Sequence, residues 1–401
     1  MSFIGTDPGA MELVIGGQRF TGWERGSVKR GIERAASSFA FTVSERWGEA
    51  DAVAAIAPFD TAVVTLGGAP ILTGYVDGYH SSLATGQHVV TISGRSRTED
   101  VVDCTPDLAG GQFNGYTLDA IARTIGALFG VGVVVQAPMG DAFPQVAMQP
   151  HETGFRFLER LARLRGVLLT DDGNGNLVLT TASAATATDT LEEGRNVQRG
   201  SVSLSSRGRF SLWRVKTQTP AITAPASVGV LTSLPANPTA ADRVANSTSS
   251  LATAPQTANN PAVLGEAMDA GVPRYRPHVV AAESGLTQAQ AAERAAWEAR
   301  HAAGRSTSVE VEVMGWHQRD GSLWQPNMLV SVQIPTLHLE LSLLIAECEW
   351  AMAPGTGRTT RMKLGPVDGF SADPGQVRVR RNRAKGGRAL DQQGVITSLG
   401  S

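Results

Sequence analysis

The chain has 401 residues, 42% of them hydrophobic and 18% charged, with a formal net charge of −2. That length exceeds one ordinary core of ~100–200 residues and implies two to four domains, while the near-neutral balance excludes a general attraction for polyanions such as nucleic acid. Two cysteines, Cys104 and Cys348, lie far apart without a CxxC or zinc spacing, which fits a reducing compartment or two packed thiols, with one disulfide as the less favoured alternative.

The opening MSFIGTDPGAMELVIGG has neither a basic n-region nor a continuous apolar h-region, so no cleaved signal peptide is expected. No apolar run approaches the ~18–20 residues that cross a bilayer, so no membrane anchor is expected either. Residues 11 to 103 read as β structure. Phe39, Phe41 and Val43 alternate with Ala40, Thr42 and Ser44, the two-residue period of a half-buried strand. Strands are expected at 62–66, 71–76 and 88–93, between Gly-rich turns, which suggests a small barrel or sandwich.

The period then changes. In TLDAIARTIGALFG, Leu118, Ile121, Ile125 and Leu128 fall on one helical face, with Thr117 placed to N-cap and Gly130 to end the helix. A short strand VGVVVQ follows, then a helix over about 153–165 with Phe157, Leu161 and Leu164 on its apolar stripe. GVLLT and NLVLT then frame DDGNGN as a hairpin. FSLWRVKTQ at 210–218 has strand character. From 219 to about 265, Ala, Thr, Pro, Ser and Asn dominate, which offers little apolar surface to offset the entropy of ordering, so a long loop or insertion is expected. Thr287 opens an Ala-rich helix with a capping box to Gln290, ending at Gly304. The last quarter returns to β structure, with Val309, Val311 and Val313 alternating with Glu310 and Glu312. In LLIAECEW, Leu344, Ala346, Cys348 and Trp350 form one face, although Ile345 falls on the polar side. MLVSVQI and TTRMKLG complete a second small barrel. Residues 62–95 and 328–365 share a rhythm of strand, turn and strand, a hint of two related barrels.

Little of this points to chemistry. Read as a calcium loop from Asp172, the acidic knot has Leu177 at the sixth position and Ser183 at the twelfth, where glycine and a bidentate glutamate are needed. Asp, Asn and Gly at that place are turn residues. His151-Glu152 starts no HExxH, because residue 155 is Phe, and the other histidines, at 80, 88, 278, 301, 317 and 338, are scattered singly. There is no GxSxG elbow, phosphate loop or dinucleotide fingerprint. No catalytic, cofactor-binding or metal residue is assigned, no cofactor is expected, and the expectation is a non-enzyme. Arg378, Arg380, Arg381, Arg383, Lys385 and Arg388 make the tail basic, but no aromatic residue interleaves them to stack on bases. An assembly contact or plain solvation is therefore favoured over nucleic acid. Asn246-Ser247-Thr248 fits a glycosylation sequon but means little without secretion.

Several stretches together resemble one family. RFTGWERGSVKRGIERAASSFAFTVSERW, ILTGYVDGYH, TISGRSRTEDVVDCT and QPHETGFRFLERLARLRGVLLTDDGNGNLVLT are similar, in order, to the baseplate hub protein of Mu-like contractile-tailed phages. So are VPRYRPHVV, AAWEARHAAGR, GWHQRDGSLWQPNMLVSV and LLIAECEW. Late control D proteins and the hub part of type VI secretion spikes are more distant members. The likeness covers most of residues 11 to 370; the stretch at 219–265 and the tail after about 373 have no clear counterpart.

The resemblance implies an α+β, mostly β chain in which two small β-barrels bracket an α+β domain. The expected divisions are 1–105 for the first barrel and 106–195 for the α+β domain. The second, discontinuous barrel takes 196–218 and 305–370, the insertion 219–304, and the basic extension 371–401. The resemblance also implies a structural role: a homotrimeric ring that adapts a hexameric tail tube, or its initiator protein, to a trimeric central spike. Baseplate wedge proteins are further expected partners, with DNA only in transit through an axial channel. The expected location is the virion tail baseplate, assembled in the bacterial cytoplasm. The alternative is a tail-associated cell-wall hydrolase, in which Glu152 or Asp172 would carry the activity.

Overall fold

Strand pairing rather than helix packing organises this chain. The structure, a computed structural model, describes residues 10–20, 23–44, 56–85, 87–108, 110–182, 185–217, 262–281 and 287–371. The first β region holds β1 (Met11–Ile15), β2 (Gln18–Phe20), β3 (Arg25–Gly31), β4 (Ser38–Ser44), β5 (Thr61–Leu66), β6 (Ala69–Ala84) and β7 (Gln87–Ser96), in the order β3-β4-β7-β6-β5-β1-β2. Phe39, Phe41 and Val43 are buried as their alternation predicts. β6 outruns its expected end at residue 76. A bulge between Val76 and Gly78 shifts its register against β7, and residues 80–85 then continue as an exposed ribbon. With neither face buried, that ribbon carries no alternation to read.

The short helix α1 (Glu99–Asp103) leads into the α+β unit. This contains β8 (Gln112–Phe113), α2 (Leu118–Leu128), β9 (Val133–Val135), β10 (Val146–Ala147), α3 (Gly154–Arg163), β11 (Leu168–Asp171) and β12 (Leu177–Thr180). β11 and β12 form the expected antiparallel hairpin, and β9 lies parallel to β12. Leu118, Ile121, Ile125, Phe157 and Leu161 enter one core. Leu128 does not: it is the last helical residue and 52% exposed. Phe129, where the chain leaves the helix, packs on that core instead, so the stripe read from periodicity is one position too long.

The second β region comprises β13 (Ala185–Thr186), β14 (Leu191–Glu192), β15 (Val197–Leu204), β19 (Thr307–Met314), β20 (Met328–Ile334), β21 (Leu339–Ala353) and β22 (Gly357–Gly365). It begins inside the stretch expected to end the α+β domain at 195, because β13 and β14 pair with β20. Between β15 and β19 the chain forms β16 (Leu212–Thr217), β17 (Ala262–Met268), β18 (Pro277–Ala281) and α4 (Gln288–Arg305). β16, expected in the second β region, pairs with β17 and β18 in a separate sheet. There Val215 is buried with Ala291 and Ala295 of α4, and that burial decides where the strand belongs.

β21 joins the two β regions. Leu339–Leu344 pair with β20 and Glu347–Met352 with β3, while β22 runs along the opposite edge. The result is one 14-stranded sheet with a shared core from Met11 to Leu364. Among the described residues no pairing closes either β region into a barrel. A bulge between Ile345 and Glu347 inverts the face of β21 midway. Leu343, Ile345, Cys348 and Trp350 therefore share the main core, whereas Leu344 and Ala346 pack with Ile32. The expected face of Leu344, Ala346, Cys348 and Trp350 is thus split, and Ile345 is not on a polar side. One inserted residue exchanges every later side chain between faces.

Helix α4 carries the expected capping box: the Gln290 amide donates to Thr287 Oγ1 at 3.3 Å, and the Thr287 amide donates to Gln290 Oε1 at 2.9 Å. Near its end a Cβ on Gly304 would lie 2.2 Å from the amide nitrogen of Gly369. Only glycine lets the 3-10 turn Val367–Phe370 approach so closely.

Candidate assembly surfaces

The acidic knot divides into two parts with different work. The Asp172 carboxylate accepts hydrogen bonds from the Asn174 amide, the Asn176 amide and Asn176 Nδ2, each at 2.9 Å, and Gly175 adopts φ +78°. This is self-capping turn chemistry. Asp171, by contrast, ends β11 and is 2% exposed. Its carboxylate accepts the Ser37 amide at 2.9 Å and the Ser37 hydroxyl at 2.6 Å, while Arg30 Nη2 donates to its backbone carbonyl at 2.9 Å. Burial pushes the Asp171 carboxyl up from its ordinary value, against the Arg30 charge and the Ser37 bonds that favour the ionised form. The turn beyond it also docks on the first β region, since Thr73 Oγ1 donates to the Gly173 carbonyl at 2.9 Å. The hairpin is therefore a clamp between two units, and Asp171, Ser37 and Arg30 are its working residues. Composition marked Asp171 as turn material and gave no sign of Ser37 or Arg30.

The other candidates do not assemble. Glu152 accepts Arg160 Nε at 3.0 Å, Arg160 Nη2 at 2.9 Å and the Gln149 amide at 2.8 Å, a bidentate pair that tethers the loop before α3. Among the described residues no hydrogen bond or ion pair joins Glu152 to Asp172. His88 contacts Ser81 at 2.7 Å, His278 stacks on Phe210 at 4.5 Å and the His301 ring lies tilted against Trp297 at 4.6 Å. Among the described residues no group of His, Cys, Asp and Glu is placed to hold a metal ion, and no helix is long and apolar enough to cross a membrane. Cys104 is exposed, Cys348 is buried, and both are free thiols. The sequon at 246–248, most of the stretch 219–265 and the basic residues from Arg378 to Arg388 lie outside the described residues.

Two surfaces carry unbalanced charge. At the first, where β6, β7 and α1 meet, Arg95 is shared by three carboxylates. Its Nε donates to Asp77 Oδ2 at 2.6 Å and its Nη2 to Asp103 Oδ2 at 2.8 Å, and Glu99 Oε2 lies 3.1 Å from Nε. The single Nε hydrogen is directed at Asp77, so Glu99 Oε2 is buried without a hydrogen bond. Desolvation first, then the Asp77 charge, pushes the Glu99 carboxyl up to about 8, against the pull of Arg95. Asp100 adds a fourth carboxyl, itself pushed up by burial and by Asp103.

The second surface is the corner formed by the loops around β16 and β18. Arg209 is neutralised there by a bidentate pair with Asp269, at 2.9 and 2.8 Å. Arg276 donates to the carbonyls of Ser206 and Arg207 and lies 5.2 Å over the Phe210 ring. Among the described residues Arg207, Arg274 and Arg276 have no carboxylate partner, and Tyr275 between the last two is 76% exposed. Exposed Met268 and Val279 lie on the neighbouring strands. Arginine, tyrosine and methionine are the residues enriched in protein interfaces. The stretch PRYRP holds this signal in the sequence, but its exposure does not follow from spacing.

Comparison with known proteins gives three family matches: residues 10–96 to the N-terminal part of the Mu phage baseplate assembly protein GpP-like family, residues 98–181 to the second domain of the gp44-like baseplate hub proteins, and residues 287–373 to the fourth domain of Mu phage baseplate assembly protein GpP. The baseplate hub protein gp44 of Escherichia phage Mu is 32% identical over 387 residues, 96% of this chain and 93% of its own. The 43 kDa tail protein of prophage MuSo2 from Shewanella oneidensis superposes with a TM-score of 0.73 at 29% identity, over 90% of this chain and 99% of its own. A tail protein from Neisseria meningitidis MC58 shares the fold, with a TM-score of 0.70 at 19% identity over 92% of this chain and 99% of its own.

Proposed function

This chain belongs to the family of Mu-like phage baseplate hub proteins, and from that premise we propose that three copies close into a ring adapting a hexameric tail tube to a trimeric central spike. The relatives are structural proteins of the phage tail, and the mostly β chain is built as they are. The observation that carries the reading is the single sheet in which β21 ties two β regions side by side. Two similar regions per chain, repeated three times, present six positions around one axis, which suits a six-fold tube on one side and a three-fold spike on the other.

In this reading each β region curls into a small barrel. For the first of them, the approach of Gly26 in β3 to Met11 in β1 supports it, since a Cβ on Gly26 would lie 3.0 Å from the Met11 sulfur. The chain then divides near the expected boundaries, 1–105, 106–195, 196–218 with 305–370, 219–304 and 371–401, with β16 transferred to the 219–304 unit and β13 and β14 to the second β region. The ring leaves an axial channel for DNA, whose lining in this reading is not strongly basic, since a basic lining would retain the phosphates. Tube or tube-initiator, spike and wedge proteins are the partners, in a baseplate assembled in the host cytoplasm.

The test is the mass of the purified full-length protein by light scattering, with a pull-down against the spike protein of the same particle. A trimer that retains the spike is expected. A monomer that ignores the spike at micromolar concentration would sink the reading.

A further inference from the structure

A three-fold ring needs two different patches on each chain, because the face that one copy offers must fit an unlike face on the next. The described surface carries two such patches of opposite charge on separate units: the carboxylates around Arg95 where β6, β7 and α1 meet, and the Arg207, Arg274, Tyr275 and Arg276 corner beside β16 and β18. We infer that the arginine corner of one copy seats on the carboxylate cluster of the next, with the exposed Tyr275 covered between them. This rests on the trimeric reading above.

Three observations carry it. First, the cluster lacks a cation. Asp77, Asp100 and Asp103 face one guanidinium, that of Arg95, and the Glu99 carboxyl beside them, 10% exposed and pushed up to about 8, adds no cation. Three aspartates against one arginine leave an excess of negative charge on this surface, and an arriving guanidinium offsets it with charge-assisted hydrogen bonds. The cluster is not arranged as a metal site: Arg95 already occupies its centre, and no metal-holding group is present among the described residues.

Second, the corner has the reverse imbalance. Among the described residues the one carboxylate bound there, Asp269, is taken by Arg209, and Arg207, Arg274 and Arg276 are left without one. Arg276 is also held in place by two carbonyls and the Phe210 ring, so little side-chain freedom remains to be lost when it meets an anion. Third, the apolar part of the patch is on the same corner. Tyr275 and Met268 are 76% and 81% exposed, and a tyrosine between two arginines suits the centre of a protein contact better than open water.

A second copy is the occupant these facts favour, because the complementary cluster lies on this same chain. The experiment is a charge exchange on the full-length protein, read by light scattering and sedimentation across a dilution series at low and high salt. Arg207→Glu with Arg274→Glu, and separately Asp100→Arg with Asp103→Arg, should each shift trimer dissociation by about tenfold or more toward monomer. Combining all four substitutions should recover most of the lost affinity, since the charges are exchanged rather than removed. Circular dichroism melting confirms that each variant is folded, and Arg274→Gln with Asp103→Asn serves as a milder pair if charge reversal prevents folding. Variants that keep the wild-type trimer affinity in either half, or lose it in both halves without rescue by the combination, would overturn the pairing while leaving the ring intact. A wild-type monomer would instead remove the trimeric reading and this inference with it.

Discussion

The Asp171 carboxylate, at the end of β11, accepts both the amide and the hydroxyl of Ser37, 134 positions away, at 2.9 and 2.6 Å. The relationship ties the hairpin of the α+β unit to the first β region. A second layer supports it: the Ser37 amide also approaches Ser96 Oγ at 3.1 Å, Ser96 contacts Thr98 at 2.7 Å, and Thr98 donates to the Ala35 carbonyl at 2.5 Å. Such a buried polar tie fixes how the two units dock, because its geometry is directional where apolar packing is not.

Asp171→Ala leaves the Ser37 hydroxyl facing a void and its amide with Ser96 Oγ alone. Unfolding by urea should show a loss of about 2–4 kcal/mol, together with faster amide hydrogen exchange at the hairpin. Asp172→Ala removes only turn bonds and should cost about 1 kcal/mol. Equal effects of the two substitutions would show that the buried tie is no stronger than the turn.

Glu99 gives the stability a pH dependence of known sign. Its folded pKa, about 8, stands above the ordinary carboxyl value of 4.5, so between those values the folded chain holds a proton that the unfolded chain releases. The Glu99 contribution to stability therefore falls as pH rises through that window and levels off above about 8. Glu99→Gln should flatten the decline in Tm between pH 6 and 9 and raise Tm at the alkaline end. A parallel decline in wild type and variant would assign the dependence elsewhere.

Gly304→Val would drive a branched side chain into the backbone of Gly369. The expected cost is about 1–3 kcal/mol from overpacking. The indole fluorescence of Trp297 should also change, since its Nε1 donates to Ser371 at 3.1 Å beside the displaced turn. An unchanged Tm with unchanged emission would contradict the close approach of α4 and that turn.

The two thiols should separate kinetically. Cys104 is exposed and Cys348 buried, so an aromatic disulfide reagent should titrate one thiol in the folded protein and both in guanidinium. Burial and the carboxylates Asp100, Asp103 and Glu99 push the Cys104 thiol up, so its reaction near neutral pH should be slower than that of a free cysteine. Two rapidly reacting thiols in the native protein would contradict the burial of Cys348.

Local features were legible in the sequence because their causes are local. Periodicity marked Phe157 and Leu161 as core, composition marked DGNGN as a turn, and the spacing of Thr287 and Gln290 fixed a helix start. An ordered series of motifs pointed to the hub family. The features that local pattern does not reveal share another cause. The bulge in β21 that redirects Leu344 and Ala346, the transfer of Leu212–Thr217 to β17 and β18, and the burial of Asp171 on Ser37 all depend on partners distant in the chain. Register and docking are settled by which surfaces exclude water together and which buried polar atoms find donors. Local period, turn chemistry and motif order thus suffice for the main helices and strands and for the kinship of this chain, whereas the role of Asp171 as the clamp between two units arises from burial against Ser37, a partner 134 positions away.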